Sequence, residues 1–231
     1  MLTISALALL LQSVAGPPHS AQPLSPFAMK KAEALLRDKL PCLGCHELGG
    51  DGGRIGPSLS SLKRWRPPDY VYAMIRDPQR TVPGTNMPRV PMSQATLELI
   101  TNYLIQREPA PNAPTPVLPP GARAPSAADT SAPAVYGRFC APCHGANGGG
   151  DGYNARYLPV RTTAHRDAHY MSMRPDDALF DAISAGGYIM NRSNRMPAFG
   201  RTLERRQIRA LVRYLRTLCS CEGPAWSRDN R

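Results

Sequence analysis

Apolar residues recur at intervals of three and four along several segments of the chain, and this spacing predicts amphipathic helices. The predicted helices cover residues 27–40, 69–76 and 94–106 in the first half and residues 176–184 and 203–218 in the second. No segment shows the convincing alternation of apolar and polar residues that a half-buried strand requires. The pattern therefore indicates an all-α fold.

The helix ends carry their own signals. Ser93 and Thr202 are the predicted N-caps of the last helix in each half, because a hydroxyl oxygen can accept from a free N–H group of the first turn. The Gly186-Gly187 pair is expected to end the helix that precedes the last one.

The same order of motifs occurs twice along the chain. Cys42-Leu43-Gly44-Cys45-His46 recurs 98 residues later as Cys140-Ala141-Pro142-Cys143-His144. Met87-Pro88 recurs 109 residues later as Met196-Pro197, and each Met-Pro pair precedes the last helix of its half. This order indicates an internal duplication into two domains.

A proline-rich segment separates the two copies. Eight prolines fall within residues 109–133, a composition that predicts a semi-rigid spacer over residues 108–133 rather than a helix. The predicted domains cover residues 22–107 (domain 1) and 134–221 (domain 2), and residues 222–231 form a C-terminal tail.

The N-terminus has the pattern of a secretory signal peptide. The apolar run from Leu2 to Leu11 is shorter than the roughly 20 residues that span a bilayer, and Ser13 and Ala15 give a small-residue cleavage pattern. We expect residues 1–21 to comprise the signal peptide and an N-terminal extension, which predicts a periplasmic protein. An uncleaved membrane anchor is the alternative.

The formal net charge is +11, and both halves contribute to the surplus. No run of Lys and Arg is long enough to suggest nucleic-acid binding. A basic surface favours redox protein partners with acidic surfaces, or association with a membrane complex, through long-range attraction.

The repeated Cys-x-x-Cys-His motif is typical of covalent haem attachment. Two thiols at this spacing can form thioethers to the two vinyl groups of one porphyrin, and the adjacent His46 or His144 then lies under the macrocycle as an iron ligand. A zinc site and a redox dithiol are the competing readings. They are disfavoured because each pair has its own histidine and no βαβ pattern is visible. Two covalently bound haem c groups are therefore predicted, attached at Cys42, Cys45, Cys140 and Cys143.

The sixth iron ligands are predicted to be Met87 and Met196, since His and Met are the usual axial pair in cytochromes c. Each lies in a polar loop and is followed by proline. The competing methionines are Met92 in the first half and Met171, Met173 and Met190 in the second.

Each iron-binding histidine also needs a partner for its second ring nitrogen, normally a carbonyl oxygen. Pro57 is predicted to be in the segment that supplies it to His46, and Pro159 is the nearest equivalent for His144.

Each half resembles a class I c-type cytochrome domain, on the motifs CLGCH, IGPSL and NMP in the first half and CAPCHG, GGGDG and RMPAFG in the second. The resemblance implies helices wrapped around a haem with one exposed edge, with His46/Met87 and His144/Met196 ligation. The second half departs from the first by 11 extra residues between its histidine and methionine ligands.

The function expected is transfer of single electrons between redox partners, as a free carrier or as a subunit of a larger complex, without a small-molecule substrate. The alternative is a small dihaem oxidoreductase, peroxidase-like or sulfur-compound oxidising, with one open haem. His165 and His169 are interpreted as solvated loop residues, and the state of Cys219 and Cys221 is left open between a disulfide, a bond between chains and a metal.

Overall fold

The computed structural model describes residues 21–108, 110–116 and 129–227. The helices of domain 1 are α1 (Pro26–Asp38), α2 (Leu62–Trp65), α3 (Pro68–Arg76), α4 (Pro78–Thr81) and α5 (Gln94–Gln106). Short 3-10 turns cover Pro41–Gly44 and Leu59–Ser61. An antiparallel hairpin of β1 (Glu47–Leu48) and β2 (Asp51–Gly52) follows the first turn, with strands too short to leave an alternating pattern in the sequence.

Domain 2 repeats this plan with different details. Its helices are α6 (Ala132–Phe139), α7 (Ala141–His144), α8 (Ala168–Ser172), α9 (Asp176–Ile189) and α10 (Arg205–Cys219). Further 3-10 turns cover Ala155–Tyr157 and Ala225–Ser227. Cys219, the last residue of α10, forms a disulfide with Cys221, so one of the options left open by the sequence is realised.

The N-caps show where local sequence is decisive. Ser93 caps α5 as predicted, and its Oγ accepts from the Thr96 N–H at 3.2 Å. The prediction of Thr202 as a cap is wrong, because α10 begins two residues later with a capping box between Glu204 and Gln207. Thr202 instead accepts a hydrogen bond from domain 1.

The helix over residues 176–184 also differs from the prediction. The chain leaves helical geometry at Gly186, whose φ is +81°, but it resumes a further turn that ends at Ile189. A Cβ at position 186 would lie 2.8 Å from the backbone nitrogen of Ala198. Glycine is therefore required there both by the backbone conformation and by the close approach of the Met196 segment.

Each domain packs its first helix against its last around a separate apolar core. In domain 1, α1 and α3 contact α5, and in domain 2, α6 and α9 contact α10. The buried side chains Leu36, Ile100 and Tyr103 lie in the core of domain 1, and Tyr136 and Leu211 lie in that of domain 2. Each cysteine motif packs against the core of its domain: Leu43 is buried in the first core, and Cys140, directly after α6, contacts the second.

The two domains are in direct contact. Asn194 of domain 2 donates to the backbone oxygens of Arg37 (2.9 Å) and Leu40 (3.1 Å), and the Lys39 ammonium donates to the Tyr188 hydroxyl at 2.6 Å. This contact was not predictable from the sequence, since a proline-rich spacer allows the domains to lie close together or far apart.

Several predicted segments lie outside the described residues. These are residues 1–20 of the predicted signal peptide, half of the predicted linker (residues 109 and 117–128) and the last four residues of the tail, and they stay predictions, as do the exact domain boundaries. Within the described ranges, no helix has the length and apolar character needed to cross a bilayer.

Candidate haem-binding sites

The first cysteine motif is shaped by a tight turn that begins where α1 has ended. The backbone N–H groups of Cys45 and His46 both donate to the Cys42 oxygen, at 3.2 and 2.9 Å. This turn brings the two thiols and the imidazole to one cavity, which has a volume of about 430 Å³. Met87 lines the same cavity from the loop that precedes α5.

The His46 imidazole is held from behind. Its Nδ1 lies 2.7 Å from the Pro57 oxygen, and because a carbonyl only accepts, Nδ1 carries the hydrogen and Nε2 keeps a lone pair. A Cβ at Gly56 would lie 2.4 Å from the ring, so this glycine lets the backbone pass close behind it. Burial lowers the pKa of His46 and favours the neutral form, which can bind a metal.

The second motif has the same local geometry. The N–H groups of Cys143 and His144 donate to the Cys140 oxygen at 3.1 and 2.9 Å. The side chains line a cavity of about 280 Å³, close to the lower end of the roughly 300–1,000 Å³ range of cofactor pockets. Met196 lines this cavity from the loop between α9 and α10.

The partner of His144 is a correction to the prediction. Its Nδ1 donates to the Thr163 oxygen at 2.9 Å, so Pro159 does not supply this carbonyl. The reason is the longer loop of domain 2, which turns through Ala155–Tyr157 and returns to the imidazole a few residues later. Burial lowers the pKa of His144, as it does for His46.

The competing methionines separate in domain 2 but not in domain 1. Met171 is 1% exposed and packs in the core, Met173 is exposed and Met190 is half-buried, and of these domain 2 methionines it is Met196 that lines the cavity. In domain 1, Met92 lines the cavity together with Met87, and so does Met74 of α3, which the sequence analysis did not single out. Met87 as the ligand stays a prediction.

The four motif thiols are unpaired, and their environment fits covalent haem attachment. Burial raises the pKa of Cys42 to about 11 and of Cys45 and Cys140 to about 12, so each thiol keeps its proton. A protonated thiol supplies both the sulfur and the hydrogen that add across a vinyl group. Exposed arginines at the cavity edges (Arg66 in domain 1, Arg161 and Arg192 in domain 2) suit the carboxylates that a haem carries. A haem bound there supplies an iron that exchanges single electrons.

One residue discounted from the sequence belongs to the second site. His165 lines the cavity and stacks on the His144 ring, and its Nδ1 lies 3.1 Å from the Tyr136 hydroxyl. The interpretation of His165 as a solvated loop residue is therefore wrong, whereas His169 is exposed. Nothing in the sequence marks His165, because its partners are 21 and 29 residues away.

Asn154 joins the two cysteine motifs and was also missed. It is fully buried, and its Nδ2 lies 2.8 Å from the Gly44 oxygen and 3.3 Å from Cys143 Sγ. Its Oδ1 accepts from the Arg54 N–H at 2.7 Å. One amide group therefore contacts the attachment segment of each domain.

Domain 2 also completes the cavity of domain 1. Tyr153 and Pro197 line the cavity that contains Cys42, Cys45 and His46. Pro197, the residue after Met196, lines both cavities. The two sites therefore share a wall.

The helical domains and their Cys-Cys-His cavities define a c-type cytochrome with two such domains in tandem. A family model described as cytochrome c oxidase, cbb3-type, subunit III matches residues 27–104 and 127–215, and the chain belongs to this family. The predicted fold class and the resemblance to tandem c-type cytochromes are thereby confirmed, and domains of this class imply covalently bound haem c. No curated protein and no solved structure gives a significant match to the chain.

Proposed function

We propose that the protein is an exported dihaem cytochrome c that passes single electrons between redox proteins through two haems in series. It acts as a free carrier or as the electron-transfer subunit of a larger complex. The N-terminal signal pattern and the cysteine motifs, which suit an exported protein, support a periplasmic location. The description of the family names an oxidase subunit, and we propose a terminal oxidase as the class of acceptor.

The observation that carries this proposal is the Asn154 bridge. Because Asn154 touches Cys143 of one attachment motif and Gly44 of the other, the two haems would be attached on either side of one side chain. Electron transfer between cofactors requires short separations through packed matter. Pro197 lines both cavities, so the two haems would also be close together on either side of this residue.

The protein's own residues prepare each site for electron exchange rather than for substrate chemistry. Burial lowers the pKa of His46 and His144 and favours their neutral forms, and the carbonyl oxygens at Nδ1 leave the Nε2 lone pair free. Met87 and Met196 line the same cavities as these histidines and would fill the remaining iron position. With both positions filled, no site remains for a small-molecule substrate.

The arginines at the cavity edges support docking of acidic partners. Arg66 is exposed at the edge of the domain 1 cavity, and Arg161 and Arg192 are exposed at that of domain 2. Positive charge around an electron-exchange surface increases the encounter rate with a negatively charged protein and orients it. The same surface would serve docking within a membrane complex.

A potentiometric titration of the holoprotein, followed in the visible spectrum, tests the proposal. We expect two haems per chain, each a one-electron centre, and low-spin ferric signals in low-temperature electron paramagnetic resonance. The reduced protein should not bind carbon monoxide. A single haem would refute the dihaem proposal, whereas a high-spin ferric haem with carbon monoxide binding would favour the dihaem oxidoreductase.

A further inference from the structure

The loop that carries Met87 is held from outside its own domain. Arg138, on α6 of domain 2, donates from Nε to the Asn86 side-chain oxygen at 2.7 Å. Its Nη2 donates to the backbone oxygens of Gly84 and Thr85, at 2.8 and 2.7 Å. One guanidinium from domain 2 therefore holds three consecutive residues that lead directly into Met87.

The contact with Thr85 connects Arg138 to the backbone of the methionine. The Met87 N–H donates to the Thr85 hydroxyl at 3.3 Å, and Gln79 donates to the Met87 oxygen at 2.5 Å. Displacement of Thr85 would therefore move the backbone that positions the Met87 sulfur. Two residues after Met87, the Arg89 N–H donates to the Thr202 hydroxyl of domain 2 at 2.9 Å.

The loop that carries Met196 is held by domain 1 in return. Asn194 donates from Nδ2 to the backbone oxygens of Arg37 and Leu40, at the end of α1. These two acceptors lie in the segment that leads into the first cysteine motif. The second methionine loop is therefore tied to the body of domain 1 two residues before Met196.

Arg195 makes a second link at the same loop. Its side chain is only 8% exposed, and its Nη2 lies 2.8 Å from the Asp51 carboxylate on the domain 1 hairpin. A hydrogen bond between charged groups is stronger than a neutral one, more so where water is excluded. The residue directly before Met196 is thus held by an ion pair across the interface, between a buried arginine and a half-buried carboxylate.

From these contacts we propose that each domain holds the methionine-ligand loop of the other, so that Met ligation in each half depends on docking of the two domains. Arg138 is a positioning residue for Met87, and Asn194 and Asp51 are positioning residues for Met196. The inference rests on the proposed function, in which these methionines bind iron. It adds that a change in one domain weakens the sixth ligand of the haem in the other.

The test uses the full-length holoprotein and the Arg138→Ala variant. Exogenous imidazole competes with methionine for ferric iron, and the loss of the methionine–iron charge-transfer absorption reports that competition. Met87→His and Met196→His variants assign each signal to its haem. We expect Arg138→Ala to raise the imidazole affinity of the domain 1 haem by about tenfold or more, because the variant removes several charge-assisted hydrogen bonds. The domain 2 haem, which is in the same domain as the substitution, should keep its affinity.

The reciprocal variant and two controls keep the test decisive. Asp51→Ala, a change in domain 1, should raise the imidazole affinity of the domain 2 haem and spare that of the domain 1 haem. Arg138→Lys keeps the charge without the fork that reaches several acceptors, so its effect should be intermediate. Arg209→Ala, on the exposed face of α10, removes an arginine of domain 2 and should leave the imidazole affinity of both haems unchanged.

The proposal is overturned if Arg138→Ala leaves the imidazole affinity of the domain 1 haem unchanged. It is also overturned if the variant raises the imidazole affinity of both haems equally, because an equal change would indicate a general loss of stability. Should Arg138→Ala not accumulate as a folded protein, Arg138→Lys and Asp51→Ala carry the same comparison. Failure of the proposed function is recognised separately. In that case the unmodified protein itself would lack two methionine–iron absorptions.

Discussion

The His165 imidazole stacks on the His144 imidazole, with ring centroids 4.0 Å apart and planes inclined by 14°. The ring also packs edge-on against Tyr136, whose hydroxyl donates to the Gly145 oxygen at 3.2 Å. His165 therefore stabilises the orientation of His144 by packing on the face of its ring, while the Thr163 oxygen accepts a hydrogen bond from His144 Nδ1.

The first prediction concerns this stack. His165→Ala removes the stacked ring and should lower the free energy of unfolding by about 2–3 kcal/mol. His165→Phe keeps a ring in place and should cost about 1 kcal/mol or less, since only the contact with the Tyr136 hydroxyl is lost. Denaturant unfolding of the holoprotein measures both values. The exposed His169→Ala is the control, and equal losses in the Phe and Ala variants would contradict a stacking role.

The second prediction concerns Asn154. Asn154→Leu keeps the side-chain shape but leaves the Arg54 N–H and the Gly44 oxygen without this partner. Each buried group left unpaired costs about 1–3 kcal/mol, so we expect a loss of about 2–4 kcal/mol together with slower electron exchange between the haems. Pulse radiolysis of the holoprotein measures the exchange rate. An unchanged rate in a destabilised variant would restrict Asn154 to a structural role.

The third prediction tests how closely the domains pack at Gly44. A Cβ at this position would lie 1.9 Å from the Arg195 oxygen, which is backbone and cannot rotate away. Gly44→Ala should therefore open the interface, with an increased radius of gyration in small-angle scattering. Gly50→Asn is the control, because a Cβ at Gly50 meets nothing within 4 Å and asparagine tolerates its positive φ. A compact Gly44→Ala variant would show that the interface can shift without separating.

The fourth prediction follows from the positive charge at the cavity edges. Oxidation of the reduced protein by the hexacyanoferrate anion should slow as ionic strength rises from about 0.01 to 0.1 M, because the Debye length falls from about 30 to 10 Å. The cationic cobalt hexaammine complex should show the opposite dependence. Stopped-flow kinetics measure both series. Identical salt dependence for the two oxidants would exclude electrostatic steering.

The fifth prediction concerns Arg216 of α10, whose side chain is 12% exposed. It forms an ion pair with Asp176 at 2.6 Å and donates to the backbone oxygens of Met171 and Arg174. Arg216→Ala should lower the free energy of unfolding by about 3 kcal/mol, since Asp176 and both oxygens lose a partner. Thermal unfolding measures this loss. Arg213→Ala, on the exposed face of the same helix, should be neutral within about 0.5 kcal/mol.

The sequence was sufficient for features that depend on neighbouring residues. The helix Gln94–Gln106 and its Ser93 cap appear as predicted, because apolar spacing and capping are local properties. The cysteine motifs and their histidines converge on one cavity each for the same reason, since the turn that joins them is five residues long. His46 and the Pro57 oxygen are also close in sequence, only 11 residues apart.

Features that depend on distant residues could not be derived in this way. The partner of His144 is the Thr163 oxygen and not that of Pro159, because the loop of domain 2 is longer than that of domain 1. The local sequence pattern does not indicate where a longer loop comes back to the imidazole. Thr202 has the residue type of a cap but is used at the domain interface instead. The same holds for Asn154, whose partners lie about 100 residues away in domain 1.

The close packing of the Arg195 backbone against Gly44 distinguishes the two duplicated halves. The position that is Gly44 in the first motif is Pro142 in the second, although both motifs have the same Cys-x-x-Cys-His spacing. The backbone of Arg195 leaves no room for any side chain at position 44. The two motifs share one spacing but are therefore not exchangeable in the chain. A copy of the second motif placed at residues 42–46 would set the ring of a proline against the backbone of the neighbouring domain.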